Sequence, residues 1–293
     1  MVPCIHLGAH KTASTHLQNA LHAARQVLMT HRVAYFGPRV LRHRLGLQPV
    51  MPPVAAIDPE LLAQLHRHNG AGRRLVLSEE NILGTTRPRL IARGVQLYPD
   101  AEARLGAVLS ALGAHHVTLF VAVRMPLDFL VSAYGQQIYA GQVKPFAQYV
   151  AGIEPAALRW SDLVGRLRGV PGVAHCVVWQ FEQYPGIAPT VLDQMLGSAA
   201  TCVTLPERRS NPGISAAALA EVLTRGQAMA PAEARELVRA RRAALPKSAD
   251  RPGFAPFGQA DRARALSDYC ADLDRLAAQG GVTLLAGVPT DRT

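Results

Sequence analysis

The feature that most constrains the fold of this chain is an apolar stretch near the N-terminus that runs into a loop and then a helix. The stretch ends at Leu7, and residues 8–15, GAHKTAST, are small, hydroxyl-bearing or basic. Backbone N–H groups at the start of a helix favour a bound anion, and so does the helix dipole. The segment therefore predicts a cradle for a phosphate or sulfate group, to which Lys11 adds a positive charge. Its hydroxyl donors are Thr12, Ser14 and Thr15.

The order of residues in this loop separates it from a nucleotide triphosphatase loop, G-x-x-x-x-G-K-[ST], which carries its lysine at the end. Here Lys11 comes early and the hydroxyls follow. This order resembles the 5′-phosphosulfate loop of bacterial sulfotransferases that use 3′-phosphoadenosine-5′-phosphosulfate (PAPS), typically H-x-G-x-H-K-T-G-T-T-x-L-Q. The chain departs from it at Ala13, where the family usually has Gly, and at Ser14, where it usually has Thr. Alanine in place of glycine at position 13 costs little conformational energy if its φ angle is negative, and its backbone is strained if φ is positive.

A second segment resembles the 3′-phosphate site of the same family. Residues 117–123, VTLFVAV, form an apolar run typical of a buried parallel strand, and Arg124-Met125-Pro126 follows it directly. Ser132 comes about two helical turns after Pro126. The resemblance implies that Arg124 and Ser132 hold the 3′-phosphate, for which Arg offers a planar fork of donors. Taken alone, an arginine at a strand end is more often a surface charge or an ion-pair partner.

Weaker matches to the family are spread along the chain. Residues 75–81 resemble its second strand, which often ends in Ser-x-Glu. Residues 177–182 resemble a strand that ends in aromatic–Glu–Arg, with Gln183 in place of that Arg, and residues 208–215 resemble a segment before the last helical region. The resemblance implies nine cofactor-binding residues: Gly8, Lys11, Thr12, Ala13, Ser14, Thr15, Arg124, Ser132 and Arg209.

The activity that the resemblance implies is transfer of a sulfuryl group from PAPS, with PAP (adenosine 3′,5′-bisphosphate) as product and no metal ion. The acceptor is a hydroxyl or amine of a saccharide, a lipid or a small metabolite. Lys11 is the candidate that stabilises the leaving 5′-phosphate. Glu80 is the leading candidate for the base, and an ion pair with an arginine is its alternative role. Its neighbour Glu79 points the other way if the strand alternation continues, and His10 is a further candidate base.

Two other functions remain open from the sequence alone. A kinase-like phosphoryl transferase with a variant loop would need a metal-binding Asp at a strand end, whereas the run 117–123 ends in Arg124. The departures from the family pattern at Ala13 and Gln183 keep open a non-catalytic protein that binds a 3′,5′-bisphosphate. Fold alone does not decide among the three.

Length and composition fit one α/β domain over residues 1–293, because 49% of the residues are apolar and 18% are charged. The net charge of +10 agrees with an anionic co-substrate. Nucleic acid is not an expected partner, because the arginines do not cluster with aromatic residues and the aromatic content is only 5%. The arginines of residues 235–242 form either a solvated helix face or a contact for an acidic substrate or partner.

The cysteine and hydropathy patterns predict a cytoplasmic protein. The four cysteines lie far apart without a C-x-x-C pair, so we expect reduced, buried thiols and no metal site. No apolar run approaches the ~20 residues of a membrane span, so no stable membrane insertion is expected, and no secretory signal is evident.

Periodicity predicts strands that alternate with helices, and hence a parallel sheet with helices on both faces and a helical C-terminal part. Residues 37–59 and 246–258 are rich in Pro and Gly and are predicted lid or substrate loops. Side chains at Tyr134, Gln136, Gln137 and Tyr139 are candidates for an acceptor groove or for packing. The predicted strands cover 2–7, 74–77, 117–123, 175–181 and 282–285. The predicted helices cover 15–29, 101–113, 126–139, 156–168, 188–196, 215–229, 232–243 and 261–279.

Overall fold

The computed structural model describes residues 3–47, 57–184, 186–207 and 213–286. These residues form a six-stranded, wholly parallel sheet with helices on both faces, which confirms the predicted fold class. A separate pair of two-residue antiparallel strands lies outside this sheet. Among the helices described here, none has both the length and the apolar character needed to cross a lipid bilayer.

The strands and helices follow one another along the chain as strand–helix units. The strands are β1 (Cys4–His6), β2 (Val33–Phe36), β3 (Arg74–Ser78), β4 (Ala92–Arg93), β5 (Gln96–Leu97), β6 (Val117–Val123), β7 (Val173–Gln180) and β8 (Val282–Leu285). The helices are α1 (Ser14–Thr30), α2 (Pro38–Arg44), α3 (Pro59–Gly70), α4 (Ala101–Leu112), α5 (Pro126–Tyr139), α6 (Phe146–Tyr149), α7 (Trp160–Arg168), α8 (Ala188–Leu196), α9 (Ala216–Gly226), α10 (Pro231–Ala244) and α11 (Gln259–Ala278).

The order of strands across the sheet is β2-β3-β1-β6-β7-β8, so β1 lies between β3 and β6. From β1 the chain moves to β2 and β3 on one side, and from β6 it moves to β7 and β8 on the other. The carboxyl ends of β1 and β6 therefore border a topological switch point. Ligands of open α/β sheets bind in the crevice at such a point.

The core fills both faces of the sheet because alternate side chains of each buried strand point in opposite directions. In β6, Leu119 and Val121 belong to one apolar cluster, with residues of α4, α5 and α7. Phe120 and Ala122 belong to the other, with residues of α1 and α8. Full burial of one such Phe or Val side chain stabilises the fold by about 1.5–3 kcal/mol. This two-sided burial explains why β6 is apolar along nearly its whole length.

The sequence-based elements agree with the structure in most places. The strands β2, β4 and β5 and the helices α3 and α6 were not predicted. The helix predicted over 156–168 begins only at Trp160. The Asp272 carboxylate, on α11, accepts the backbone N–H groups of Trp160 and Ser161 at 2.7 and 3.3 Å, and this fixes the start of α7. Segment 37–59 contains α2, and its residues 48–56 lie outside the described part of the chain.

All four cysteines are free, and two of them, Cys4 and Cys176, are buried in strands as predicted. The prediction that all four are buried is wrong for Cys270, which is exposed, and Cys202 is only partly buried. Cys270 lies on the outer face of α11, next to the buried Tyr269.

Candidate functional site

A cleft of about 1830 Å³ opens where the loops after β1, β3 and β6 meet. The loop after β1, both helices α1 and α2, the start of α5 and the segment 246–258 contribute to its walls. Eight of the predicted site residues line it: His10, Lys11, Ala13, Ser14, Thr15, Glu80, Arg124 and Ser132. Arg209 lies outside the described residues, so the structure gives no placement for this predicted contact.

The loop after β1 adopts a tight conformation with three residues at positive φ. The φ angles are 39° at Gly8, 65° at Lys11 and 65° at Ala13. Ala13 therefore adopts the strained alternative, which costs an alanine roughly 1–2 kcal/mol relative to a right-handed conformation. Gly8 is needed for space as well, because a Cβ there would lie 2.4 Å from the Ser14 hydroxyl oxygen.

The hydroxyls of this loop divide into two groups. The Thr12 hydroxyl points inward and donates to the Ala9 carbonyl at 2.6 Å, so it closes the loop. The Ser14 and Thr15 side chains line the cleft, although the Ser14 hydroxyl also lies 3.5 Å from the Ala9 carbonyl. In this conformation Thr12 and Gly8 shape the loop, whereas Ser14 and Thr15 are positioned to contact a ligand.

Lys11 is one of the cations that line the cleft. Its Nζ donates to Gln136 Oε1 at 3.2 Å, and no carboxylate of the described residues lies within ion-pair distance of it. Burial, together with the charge of nearby Arg124, lowers the pKa of Lys11 below its usual value. An anionic ligand would stabilise the charged form of such a half-buried lysine, which has no carboxylate partner.

Arg124 links the loop after β6 to the loop after β1. Its Nη1 donates to the Lys11 carbonyl at 2.9 Å, and its guanidinium carbon lies 4.4 Å from the centre of the Phe181 ring. The Trp160 indole N–H donates to the Arg124 carbonyl at 2.6 Å and fixes the backbone there. Ser132, on α5, lines the same cleft. Phe181 is the aromatic residue in the match of residues 177–182, but the sequence analysis gave it no contact to a ligand or to Arg124.

The two carboxylates after β3 share one arginine but have different surroundings. Arg42 Nε donates to Glu79 at 2.8 and 3.1 Å, and Arg42 Nη2 donates to Glu80 at 2.8 Å. Gln18, on α1, donates to the other oxygen of Glu80 at 2.9 Å. Glu80 lines the cleft, whereas Glu79 is completely buried and accepts the N–H of Asn81. Glu80 thus forms the arginine ion pair considered as its alternative role, and it also lines the cleft, where a base would have to lie.

The pKa shifts of the two carboxyl groups have opposite directions. Burial and the neighbouring Glu80 raise the pKa of Glu79 to about 7. Burial acts in the same direction on Glu80, but the hydrogen bond from Gln18 and the charges of His10 and Arg42 outweigh it and lower the pKa of Glu80. Glu80 is therefore the member of the pair that stays ionised over the wider pH range.

Both ring nitrogens of His10 have hydrogen-bond partners. Nδ1 lies 2.8 Å from the Tyr98 hydroxyl, and Nε2 lies 3.1 Å from Asn81 Oδ1. Asn81 Oδ1 can only accept, so Nε2 carries the ring proton and the Tyr98 hydroxyl donates to Nδ1. The Tyr98 hydroxyl also accepts the backbone N–H of His10 at 3.1 Å. Burial lowers the pKa of His10, and Glu80 partly offsets this effect. His10 lines the cleft, but both of its ring nitrogens are engaged in hydrogen bonds that fix the loop.

The residues and loops predicted for the acceptor differ in whether they reach the cleft. Tyr134, Gln136 and Tyr139 line the cleft, whereas Gln137 is buried and donates to the Thr86 hydroxyl at 2.7 Å. The segment 246–258 reaches the cleft with Lys247, Gly253 and Phe254. It is tied to the start of α9 by the bridge between Ser215 and Gly253.

His6 lies beneath the loop and is predicted to make stability depend on pH. Its Nδ1 lies 2.8 Å from the Ser78 hydroxyl, its ring stacks on Trp179, and burial lowers its pKa to about 4. Between about pH 4 and 6.5 the unfolded chain binds a proton that the folded chain does not, so stability falls as the pH drops through this window. For one such group the slope is at most about 1.4 kcal/mol per pH unit.

Denaturant unfolding between pH 4 and 7 is the measurement for this prediction. His6→Gln should give a flatter profile than the wild type, because the glutamine has no proton to take up. The exposed His115→Gln serves as the control. An unchanged slope in His6→Gln would show that His6 is not the group responsible.

Comparison with known proteins gave one structural similarity. Neither the protein-family profiles nor the curated proteins searched match the sequence. The crystal structure of a sulfotransferase from Alicyclobacillus acidocaldarius is similar to this chain, with 16% identity, coverage of 85% of this chain and 98% of that chain, and a TM-score of 0.44. Because identity and TM-score are both low, the assignment of an activity depends on the residues of the cleft.

Proposed function

We propose that this protein is a PAPS-dependent sulfotransferase that acts on a hydroxyl or amine of a small-molecule or saccharide acceptor. The observation that carries the proposal is the meeting of two motifs at one cleft. The loop of Lys11 and the strand end of Arg124 resemble the binding sites for opposite ends of PAPS, and they are joined here by a hydrogen bond of 2.9 Å between Arg124 and the Lys11 carbonyl.

The charge of the cleft fits such a co-substrate. Five lysine and arginine side chains line the cleft, Lys11, Arg39, Arg42, Arg124 and Lys247, and of these Arg42 is paired with Glu79 and Glu80. When bound, PAPS supplies the sulfuryl group and the 5′-phosphate that leaves. Its several negative charges would satisfy the half-buried Lys11, which faces no carboxylate within ion-pair distance among the residues described.

Each loop residue then has a distinct role. Lys11 would donate to the bridging oxygen and stabilise the charge that develops on the departing 5′-phosphate. Ser14, Thr15 and the backbone N–H groups at the start of α1 would hold phosphate and sulfate oxygens. On the other side of the cleft, Arg124 and Ser132 would hold the 3′-phosphate. Gly8, Thr12 and Ala13 give the loop its shape, and Arg209 is proposed as an additional contact to the nucleotide.

Glu80 is the proposed general base. As the bond between sulfur and the acceptor atom forms and the bond to the bridging oxygen breaks, the acceptor's proton would pass to a Glu80 oxygen. His10 would position the loop through Tyr98 and Asn81 instead of taking this proton. We further propose that residues 1–293 act as one domain and that segments 37–59 and 246–258 close over the bound substrates.

Binding of PAP measured by thermal shift tests this function. PAP should stabilise the protein more than AMP or ATP–Mg²⁺, and saturation at 100 times the dissociation constant adds about 2.7 kcal/mol. Arg124→Ala should weaken PAP binding roughly 10- to 100-fold, because a charge-assisted hydrogen bond to the 3′-phosphate is lost. Arg264→Ala, an exposed arginine of α11, is the matched control.

The competing functions predict other results. Stabilisation by ATP–Mg²⁺ in preference to PAP would replace this proposal with a phosphoryl transferase. Tight PAP binding without any release of sulfate from PAPS, even with a broad set of hydroxyl and amine acceptors, would indicate a non-catalytic binding protein.

A further inference from the structure

The helices α1 and α2 carry polar or basic side chains both at Glu80 and one helical turn farther from it. Gln18 on α1 and Arg42 on α2 hold the Glu80 carboxylate at 2.9 and 2.8 Å. His22 follows Gln18 by four residues and Arg39 precedes Arg42 by three, so each lies one helical turn farther along the same face. Both side chains line the cleft. One turn corresponds to a shift of about 5 Å from the carboxylate.

Arg39 differs from Arg42 in its partners. Arg42 is neutralised by two glutamates, whereas Arg39 makes no ion pair with any residue of the described ranges. Its charge lies close to the half-buried His22: burial lowers the pKa of His22 first, and the charges of Arg25 and Arg39 lower it further. Arg39 and His22 therefore present one cation and one imidazole that is mostly neutral near pH 7.

No acidic residue among the described residues that line the cleft forms an ion pair with Arg39. Glu80 pairs with Arg42, Asp128 pairs with Arg262 at 2.7 Å, and Glu207, the third acidic residue of the lining, makes no ion pair with Arg39. An arginine that faces an open cleft without a carboxylate partner binds an anionic group of a ligand more favourably than a neutral one.

We propose that Arg39 and His22 form an acceptor subsite for an anionic group, so that the substrate is a hydroxyl- or amine-bearing molecule that also carries a carboxylate or a sulfate. The anionic group binds Arg39, and the nucleophile, about one helical turn away, faces Glu80 and Lys11. This inference rests on the proposed sulfotransferase function for the identity of Glu80 as the base.

A ligand series with one sugar ring tests this subsite directly. Glucose, glucuronate and glucose 6-sulfate are titrated at constant ionic strength into protein saturated with PAP, and the imidazole resonance of His22, assigned with His22→Gln, is followed by NMR. We expect saturable shifts with glucuronate or glucose 6-sulfate and none with glucose. The two anionic sugars distinguish a carboxylate-bearing from a sulfate-bearing acceptor.

Variants of the arginine decide whether the subsite is specific. Arg39→Ala should weaken binding of the anionic sugar about five- to tenfold, as expected for the loss of one charged contact, while Arg39→Lys retains most of it. Arg264→Ala should bind like the wild type. The proposal is overturned if neither anionic sugar gives a saturable shift, or if Arg39→Ala and Arg264→Ala bind alike.

The same experiment separates this inference from the proposed function. PAP binding is measured first, by thermal shift, and does not involve Arg39. If PAP fails to bind while the anionic sugars still shift His22 in an Arg39-dependent way, the sulfotransferase assignment fails and the anion site stands. If PAP binds and the sugars do not, only the subsite is wrong.

Discussion

Replacement of Lys11 by alanine is expected to lower the rate of sulfuryl transfer at saturating PAPS by roughly 10²–10³-fold, the usual effect of removing one preorganised donor from a developing negative charge. Lys11 lines the cleft and has no carboxylate of the described residues within ion-pair distance that would compete for it. The rate is measured with ³⁵S-labelled PAPS. Transfer to water is followed as labelled sulfate, and transfer to an added compound is followed as labelled sulfated product.

The reason for a large effect is that the interaction strengthens during the reaction. Before transfer, the bridging oxygen carries little charge, and during transfer it becomes part of the leaving phosphate. The structure holds Lys11 in place beforehand through Gln136 and through Arg124, which donates to the Lys11 carbonyl. Little reorganisation is therefore needed when the charge develops.

Two further variants make the Lys11 experiment specific. Lys11→Arg keeps the charge but not the compact shape of the ammonium group, and we expect an intermediate rate. Lys144→Ala removes an exposed lysine outside the cleft and should leave the rate unchanged. A rate within about threefold of the wild type in Lys11→Ala, well below the cost of one oxyanion donor, would exclude Lys11 from the chemical step.

The sheet could be predicted from the sequence where strands and helices carry strong local signals. Residues 117–123 and 282–285 were predicted at the bounds observed for β6 and β8. For β6 the signal is strong because buried parallel strands are nearly continuous apolar runs. The four-residue strand β2 is too short for its periodicity to be recognised. For α3 a start signal was present and unused: Asp58 caps the helix by accepting the N–H of Glu60, and Pro59 follows it.

The candidate site was predictable only where its residues are close in sequence. The loop after β1 is a local motif, and so is the pair of Arg124 and Ser132. The partners that decide their chemistry are distant: the His10–Tyr98 hydrogen bonds span 88 residues, and the contact between Arg42 and Glu80 spans 38. The contact between Arg42 and Glu80 arises because β2 pairs with β3, and a single sequence does not specify that order of strands.

The backbone of the loop shows a second limit of sequence reasoning. Whether Ala13 is strained depends on its φ angle, and nothing in the residue type decides this. The observed value of 65° puts the alanine where the family motif has glycine. The loop therefore keeps the backbone path expected for the glycine and bears a local cost, which packing of Thr12 and Ser14 against Ala9 must offset.

Replacement of Glu80 by glutamine is expected to lower the rate of transfer to a hydroxyl acceptor by roughly 10²–10⁴-fold, the range for loss of a general base. Glutamine keeps the size of the side chain and can still contact Gln18 and Arg42, so binding of PAP should change little. Thermal shift with PAP and the ³⁵S transfer assay, carried out on the same variant, separate the two effects. Glu79→Gln is the control at the neighbouring buried carboxyl group.

The pH dependence of the rate gives the sharper test, because Arg42 contributes to the low pKa of Glu80. A base must be deprotonated, so the rate falls on the acidic side as Glu80 takes up a proton. Arg42→Ala removes a cation that stabilises the ionised carboxylate, which raises the pKa of Glu80 and moves the acidic limb of the profile to higher pH. An acidic limb that stays in place in Arg42→Ala and persists in Glu80→Gln would mean that another group accepts the proton, and the base would have to be sought outside the pair that follows β3.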